Sequence, residues 1–271
     1  MPHIQAGDIR IYYETAGSGP RLLFINGTGA DLRNRPNAFD GPLAKAFQVL
    51  GYDQRGLGRS EKPDRPYSMQ EYADDAAALL DALGWDRAHV MGVSFGGMVA
   101  QHLALRHPHR IKRLVLACTS SGGDGGASYP LHRLGDMDVE SRARFMIGIS
   151  DPRHDASWRA EHPEALAAMI EQQAAAAATG ADDPLKEMGA RRQLEARIHH
   201  DASARLGEIR APVLLCAGRY DGIAPLENMR FMQQNIPDAR LEIFEGGHLF
   251  LIQDKRAYAE ILRFLQQHPP E

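Results

Sequence analysis

The segment AHVMGVSFGGMVAQHLALR, residues 88–106, contains the most informative pattern in this chain of 271 residues. Its first six residues form a short apolar run without alternation, as expected for a central parallel strand covered on both faces. Residues 95–106 are predicted to form a helix that stops near His107-Pro108. Between them, Gly92-Val93-Ser94-Phe95-Gly96 matches G-x-S-x-G, a sharp strand-to-helix turn that exposes its serine. Ser94 is therefore the candidate nucleophile.

Strand-like and helix-like segments alternate on both sides of this turn. Further strands are predicted at 10–16, 21–26, 46–53, 113–118, 212–218 and 239–246. Ser68-Met-Gln-Glu71 has the form of a capping box and opens a helix that extends to about Leu83. Pro225 is expected in the first turn of another helix, and an amphipathic helix is expected over about 254–267. This rhythm predicts an α/β fold with a mostly parallel, doubly wound sheet flanked by helices.

The alternation stops at the glycine-rich stretch Gly122-Gly123-Asp124-Gly125-Gly126. From about residue 127 to residue 207 the sequence is helical in character and rich in alanine, with no convincing strand. We therefore predict a core domain of residues 1–121 and 208–271 and a helical cap of residues 122–207, inserted between two strands. The glycines fit either a flexible linker or a hinge that lets the cap move.

Composition and charge exclude several classes of protein. Apolar residues make up 44% and charged residues 24% of the chain, which argues against disorder. The 31 Lys and Arg against 35 Asp and Glu give a net charge of −4 without a basic block, so no nucleic-acid partner is expected. The N-terminus lacks the apolar core of a secretory signal, and no run approaches the ~18 apolar residues of a membrane span. We expect a cytoplasmic protein with no membrane partner.

The base that activates the serine is predicted to be His248. A serine hydroxyl is a poor nucleophile at neutral pH and needs a base within hydrogen-bond distance. Most of the 12 histidines lie in helical or surface-like segments, whereas His248 follows the last predicted strand in Glu245-Gly246-Gly247-His248. A glycine-flanked loop at the carboxyl end of a strand allows this histidine to reach the end of another strand.

The acid that orients His248 is predicted to be Asp221. It follows the strand at 212–218 in Gly218-Arg219-Tyr220-Asp221-Gly222, again at the carboxyl end of a strand. Such an acid fixes the tautomer of the imidazole and stabilises the imidazolium. Asp124 is the rival acid because it follows the strand after the Ser94 turn. Three roles, each at the end of a strand, rarely arise together by chance.

Attack on an ester creates an oxyanion, which needs backbone N–H donors that are already in place. One donor is expected from Phe95, the residue after the nucleophile. The other is expected from the loop after the strand at 21–26, which reads Asn26-Gly27-Thr28-Gly29, and we assign it to the Thr28 N–H.

The chain resembles the α/β-hydrolase superfamily over nearly its whole length. The matching pieces are Asn26–Gly29, Asp53–Ser60, the turn at Ser94, Gly218–Asp221 and Gly246–His248. The order serine, acid, histidine is also the order of that superfamily. One departure is Asn26, which replaces the histidine of the usual His-Gly pair, although the oxyanion donor is a backbone group. Residues 26–33 are also similar to a loop of 3-oxoadipate enol-lactonases, but the tryptophan common just beyond that loop is absent.

The resemblance and the three candidate residues together imply a serine hydrolase that cleaves a carboxylic ester or lactone of a small to medium apolar substrate. The same machinery would also suit an enol-lactonase, a C–C bond hydrolase or a perhydrolase. A non-catalytic small-molecule-binding protein of the same fold is the alternative from another class. The oligomeric state stays open.

No cofactor or metal ion is expected from the sequence. No G-x-G-x-x-G or P-loop pattern occurs, so nothing suggests a nucleotide site. His199-His200-Asp201 is read as a turn rather than a metal site because adjacent residues on a helix point in different directions. Cys118 and Cys216 lie in apolar runs and are predicted to be buried thiols.

Overall fold

Eight strands form one sheet in the computed structural model, which describes residues 2–135 and 137–267. Their order across the sheet is β1-β2-β4-β3-β5-β6-β7-β8. The pairs β1–β2 and β2–β4 are antiparallel, and all the other neighbouring pairs are parallel. The strands are β1 (His3–Ala6), β2 (Ile9–Ala16), β3 (Arg21–Ile25), β4 (Gln48–Tyr52), β5 (Ala88–Val93), β6 (Ile111–Ala117), β7 (Val213–Gly218) and β8 (Ala239–Phe244).

Ten α-helices connect or follow these strands within the described ranges. They are α1 (Pro42–Ala46), α2 (Met69–Ala82), α3 (Phe95–Arg106), α4 (Val139–Ser150), α5 (Ala156–Glu161), α6 (Pro163–Ala178), α7 (Lys186–Ile198), α8 (Leu226–Asn235), α9 (Phe250–Gln253) and α10 (Arg256–Leu265). The capping box predicted at Ser68 is present, with both reciprocal hydrogen bonds to Glu71. Pro225 lies immediately before α8 rather than inside its first turn.

Two apolar layers cover the two faces of the sheet. Neighbouring residues of a strand point to opposite faces, so Leu23 belongs to one layer and Leu22 to the other, and the same holds for Val90 and Met91. Helices α2, α3 and α8 supply the first layer, and α1 and α10 supply the second. Burial on both faces explains why the predicted central strands show apolar runs without alternation. The predicted doubly wound α/β fold is confirmed.

Helices α4 to α7 lie between β6 and β7, inside the segment 122–207 that the sequence predicts as a cap. An isolated β-bridge pairs Gly122 with Asp201, so the two ends of this segment lie side by side. Its status as a separate domain stays a prediction, and we call it the predicted cap below. No helix in the part of the chain that the structure describes is long and apolar enough to cross a membrane.

Candidate active site

Ser94 sits alone between the last residue of β5 and the first residue of α3. Its φ of 55° and ψ of −118° lie outside the regions that residues with a Cβ ordinarily occupy. The turn is tight because two backbones approach closely on both sides. A Cβ on Gly92 would lie 2.3 Å from the Gly96 carbonyl oxygen, and one on Gly96 would lie 2.0 Å from that of Ile25. The glycines of the G-x-S-x-G pattern are therefore required by space.

The structure brings Ser94, His248 and Asp221 into one chain of hydrogen bonds. The Ser94 Oγ lies 3.0 Å from His248 Nε2, and His248 Nδ1 lies 2.8 Å and 3.0 Å from the two carboxylate oxygens of Asp221. The partners define the tautomer: Nδ1 carries the proton that it donates to the carboxylate, and Nε2 accepts from the serine hydroxyl. This arrangement can move a proton from the serine to the histidine.

Asp221 is held by the loop that follows β7. Its Oδ1 accepts hydrogen bonds from the N–H groups of Ile223 and Ala224, both at 2.8 Å, and its side chain is 1% exposed. These charge-assisted bonds fix the carboxylate and leave Oδ2 directed at His248. The rival acid Asp124 lies in an exposed 3₁₀ turn, and the ring of His248 is hydrogen-bonded to Asp221 and Ser94 instead.

The loop with His248 is fixed by the end of α4. The His248 N–H donates to the Ser150 carbonyl oxygen at 2.7 Å, and a Cβ on Gly247 would lie 2.2 Å from the same oxygen. The predicted cap therefore contacts the backbone of the candidate base directly. No pattern in the sequence marks this contact, which joins residues almost 100 positions apart.

The two predicted oxyanion donors belong to backbone segments next to Ser94. Phe95 is the first residue of α3, and Gly27, one residue before Thr28, lies so close that a Cβ there would be 3.5 Å from the Ser94 Cβ. Neither the Phe95 N–H nor the Thr28 N–H donates a hydrogen bond to another residue that the structure describes. The start of α3 also carries the partial positive charge of a helix N-terminus. Both N–H groups therefore lack a partner among the described residues, and their role as oxyanion donors stays a prediction.

Two buried glutamines hold the loop that contains Thr28, and sequence reasoning assigned neither of them. Gln54 Nε2 donates to the Asn26 carbonyl oxygen at 2.9 Å, and the Gly29 N–H donates to Gln193 Oε1 at 2.8 Å. Gln193 lies on α7, so the predicted cap holds one end of this loop and the core holds the other. Gln54 belongs to the Asp53–Ser60 match, whereas no sequence pattern marks Gln193.

Asp53, next to Gln54, supports the following part of the same loop. Its carboxylate accepts the N–H groups of Leu32 and Arg59, each at 2.8 Å. Burial raises the pKa of Asp53 to about 6. These bonds explain why this turn belongs to the resemblance although it contains none of the candidate catalytic residues.

Cys118 is a third side chain at the Asp221–His248 pair. It is buried, has a φ of 42°, and its sulfur lies within 4.8 Å of an Asp221 carboxylate oxygen and a His248 ring nitrogen. Burial raises the pKa of the thiol well above its usual value, so the thiol is neutral. Both Cys118 and Cys216 are free and buried, as predicted.

Both ring nitrogens of His200 have hydrogen-bond partners inside the protein. His102 Nε2 lies 3.1 Å from His200 Nδ1, and His200 Nε2 donates to the Ser120 carbonyl oxygen at 2.9 Å. Burial lowers the pKa of both histidines to about 4, so both are neutral at pH 7. The pair connects α3 to the end of the predicted cap.

The sheet, the turn at Ser94 and the strand-end positions of the three residues are those of an α/β hydrolase. A family model described as the α/β hydrolase fold matches residues 20–255, and the chain belongs to this family. A solved structure of a hydrolase from Pseudomonas aeruginosa is 30% identical, covers 98% of both chains and superposes with a TM-score of 0.81. The predicted membership and the predicted class of enzyme are confirmed.

Relatives with different named activities resemble the chain along most of its length. A poly(3-hydroxyalkanoate) depolymerase of Ectopseudomonas oleovorans is 34% identical over 249 residues, which cover 91% of this chain and 84% of that protein. A 2-hydroxymuconate semialdehyde hydrolase of Pseudomonas putida is 29% identical over 96% of this chain and 91% of its own. A 3-oxoadipate enol-lactonase of Acinetobacter baylyi is 27% identical over 94% and 92%, so the similarity seen at residues 26–33 extends along the chain.

Proposed function

We propose that the chain is a serine hydrolase that cleaves a carboxylic ester or lactone of a small to medium apolar substrate through an acyl-enzyme. The observation that carries this proposal is the hydrogen-bond chain from Ser94 through His248 to Asp221, which ends beside two free N–H groups. The relatives named as a depolymerase and an enol-lactonase support the choice of an ester or lactone bond.

The first half of the reaction forms the acyl-enzyme. The Ser94 Oγ attacks the carbonyl carbon while His248 Nε2 takes the hydroxyl proton, and the carbonyl oxygen becomes an oxyanion between the N–H groups of Thr28 and Phe95. One such donor contributes about 10²–10³ in rate. Asp221 stabilises the imidazolium, which then gives its proton to the leaving alcohol oxygen as the C–O bond breaks. In a lactone this alcohol stays attached to the acyl group.

The second half releases the acid. A water molecule donates a proton to His248 Nε2 and attacks the acyl carbon, so a second oxyanion forms at the same two N–H groups. The imidazolium then returns its proton to the Ser94 Oγ as the acyl–oxygen bond breaks. Ester and water become acid and alcohol, and the enzyme is restored without any cofactor.

We further propose that the segment 122–207 acts as a cap whose position affects the geometry of the site. Ser150 at the end of α4 fixes the loop with His248, and Gln193 on α7 fixes the loop with Thr28. The base and the oxyanion donor are therefore both attached to the cap, although Ser94 itself is held by the core.

A C–C bond hydrolase is the second candidate, because the relative from Pseudomonas putida is named as a 2-hydroxymuconate semialdehyde hydrolase. Its reaction could use the same serine, histidine and oxyanion donors, with a carbon leaving group that the imidazolium protonates. The two candidates differ in substrate and not in the residues that the structure brings together.

Hydrolysis of p-nitrophenyl esters of increasing acyl length tests the first candidate. We expect turnover by the wild type and a loss of about 10⁶ in kcat for Ser94→Ala, as for removal of the nucleophile in other serine enzymes. Ser157→Ala, the same change at an exposed position of α5, is the control. A fluorophosphonate probe should label the wild type and not the Ser94→Ala variant.

Three results would contradict the ester proposal. Retained turnover in Ser94→Ala would remove Ser94 from the mechanism. Labelling by the probe without turnover of any ester or lactone would instead favour the C–C bond hydrolase, which a vinylogous diketone acid would test. Absence of both labelling and turnover would favour the binding protein without catalysis.

A further inference from the structure

A cavity with a volume of about 280 Å³ lies between the two segments that join the core to the predicted cap. The segment leaving β6 lines one side of it from Ser120 to Arg133, and Arg197, Ile198 and His200 at the end of α7 line the other. Met98, one turn along α3 from Ser94, lines it from the core. The cavity contains none of the residues assigned to the triad or to the oxyanion donors.

Arg197 is the decisive residue of this cavity because its positive charge is buried without a counter-ion. The residue is 8% exposed, and burial lowers the pKa of its guanidinium to about 10. Its Nη2 donates to the Ser128 hydroxyl at 2.7 Å, and its Nε is buried without a hydrogen-bond partner. No ion pair joins Arg197 to a carboxylate among residues 2–135 and 137–267. An uncompensated buried charge costs several kcal/mol, so such a group is kept where something else supplies the pairing.

The rest of the cavity wall also offers donors and positive charge. The Ser120 hydroxyl is buried and has no hydrogen-bond partner. His132 and Arg133 lie at the exposed side, and burial together with the charges of Arg133 and Arg197 lowers the pKa of His132. No aspartate or glutamate lines the cavity among the residues that the structure describes.

Hydrogen bonds also hold the cavity wall in place around Ser120 and Arg197. The Ser120 carbonyl oxygen accepts two hydrogen bonds at 2.9 Å, one from Gln101 Nε2 and one from His200 Nε2. Arg197 is fixed through Ser128 to the segment that leaves β6. The backbone of Ser120 and the Arg197 guanidinium are therefore held in place before any ligand arrives, which lowers the entropic cost of binding.

We propose that this cavity binds a small carboxylate, which pairs with the Arg197 guanidinium and accepts a hydrogen bond from the Ser120 hydroxyl. The planar fork of arginine matches the two oxygens of a carboxylate. Among the described residues that line the cavity, Arg197 is the one buried cation, which suits a monoanion. Met98, Tyr129 and Ile198 would contact a short apolar chain attached to it. The carboxylate is either a separate small acid or a group carried by the hydrolase substrate. The second case rests on the proposed function.

Binding is tested with sodium propionate, by thermal unfolding of the wild type against sodium chloride at equal ionic strength. A ligand that binds the folded state raises the unfolding midpoint with its concentration. We expect this rise in the wild type and in Arg191→Met, which removes an exposed arginine of the same helix. We expect no rise in Arg197→Met and a reduced one in Arg197→Lys, which keeps the charge but loses the fork.

The source of the carboxylate is tested by comparing kcat/KM for p-nitrophenyl hemisuccinate and for p-nitrophenyl butyrate. If the substrate carries the carboxylate, Arg197→Met lowers the hemisuccinate-to-butyrate ratio by about 10- to 100-fold relative to Arg191→Met. If a separate acid binds, the ratio is the same in both variants while propionate binding is lost only in Arg197→Met.

The proposal is overturned when both experiments fail to depend on Arg197. In the first, propionate does not raise the unfolding midpoint of the wild type, or it raises the midpoint equally in Arg197→Met. In the second, the substrate ratio is the same in both arginine variants. The unfolding experiment does not depend on turnover. A wild type that binds propionate through Arg197 but hydrolyses neither ester would contradict the proposed function and leave the carboxylate site standing.

Discussion

Asp221 and Arg197 are both buried charged side chains beside the joining segments of the predicted cap, but they are held in opposite ways. The Asp221 carboxylate accepts hydrogen bonds from two backbone N–H groups and from His248. The Arg197 guanidinium donates to one neutral hydroxyl and keeps a buried Nε without a partner. A paired charge is compensated within the protein, whereas an unpaired buried charge carries a desolvation cost that a ligand of opposite charge would offset. Under the two proposals, this difference separates a site for chemistry at Asp221 from a site for recognition at Arg197.

The largest effect should come from removing the charge of the fully paired member. Asp221→Asn places an amide where a carboxylate holds the Nδ1 proton, so the wrong tautomer of His248 faces Ser94. We expect a loss of about 10⁴ in kcat on p-nitrophenyl esters with little change in the unfolding midpoint. Asp124→Asn is the matched control. An unchanged rate in Asp221→Asn together with a loss in Asp124→Asn would transfer the role to the rival acid.

A smaller effect is expected from the neutral histidine pair that borders the cavity of Arg197. The folded pKa of about 4 for His102 lies below the ordinary value of 6.5, so its contribution to stability is present above pH 6.5 and is lost as the pH falls towards 4. Going from pH 7 to pH 5 should cost about 2 kcal/mol through this residue. His102→Gln keeps a donor for His200 and removes this titration.

Urea unfolding of the wild type and of His102→Gln at pH 7 and pH 5 measures this contribution. All other titrating groups are shared, so the difference between the two losses reports the titration of His102 together with its coupling to His200. The expected result is a loss smaller by about 2 kcal/mol in the variant. Equal losses would show that the pKa of His102 is not lowered in the folded protein and that the histidine pair is not kept neutral by burial.

The smallest effect should come from the contact between the predicted cap and the loop that contains Thr28. Gln193→Met removes the acceptor of the Gly29 N–H while keeping the length of the side chain. We expect kcat to fall about tenfold with KM nearly unchanged, because a displaced Thr28 N–H stabilises the transition state less than before. Gln172→Met, the same change at an exposed position of α6, should leave both constants unaltered. A change in KM alone would assign Gln193 to substrate binding instead.

The features that the sequence predicted are those written in local patterns. The apolar run at 88–93 and the helical spacing at 95–106 gave the bounds of β5 and α3 correctly. The carboxyl ends of parallel strands meet at one edge, so the residues after β5, β7 and β8 had to lie near each other, and the structure places Ser94, Asp221 and His248 within hydrogen-bond distance. Their catalytic roles stay a prediction.

The features that were missed depend on contacts between distant parts of the chain. Gln193 meets Gly29 across 164 positions, and His102 meets His200 across 98, because of how α7 packs on the core. Helical periodicity shows which face of a helix is apolar, but it does not show which part of the chain packs against that face. A single sequence therefore does not predict either contact. Strand β1 and helices α1 and α9 were missed for another reason, since four or five residues are too few to show a period.

The bridge between Gly122 and Asp201 has a consequence for the evolution of this chain. Because the two ends of the predicted cap meet at one point, the insertion connects β6 to β7 in the way that a single loop would, whatever its length or content. A different insertion could replace it without moving β6 or β7. Selection can therefore remodel what the enzyme accepts while the sheet is inherited unchanged, provided that a new insertion also supplies the contacts that Ser150 and Gln193 make with the loops of His248 and Thr28.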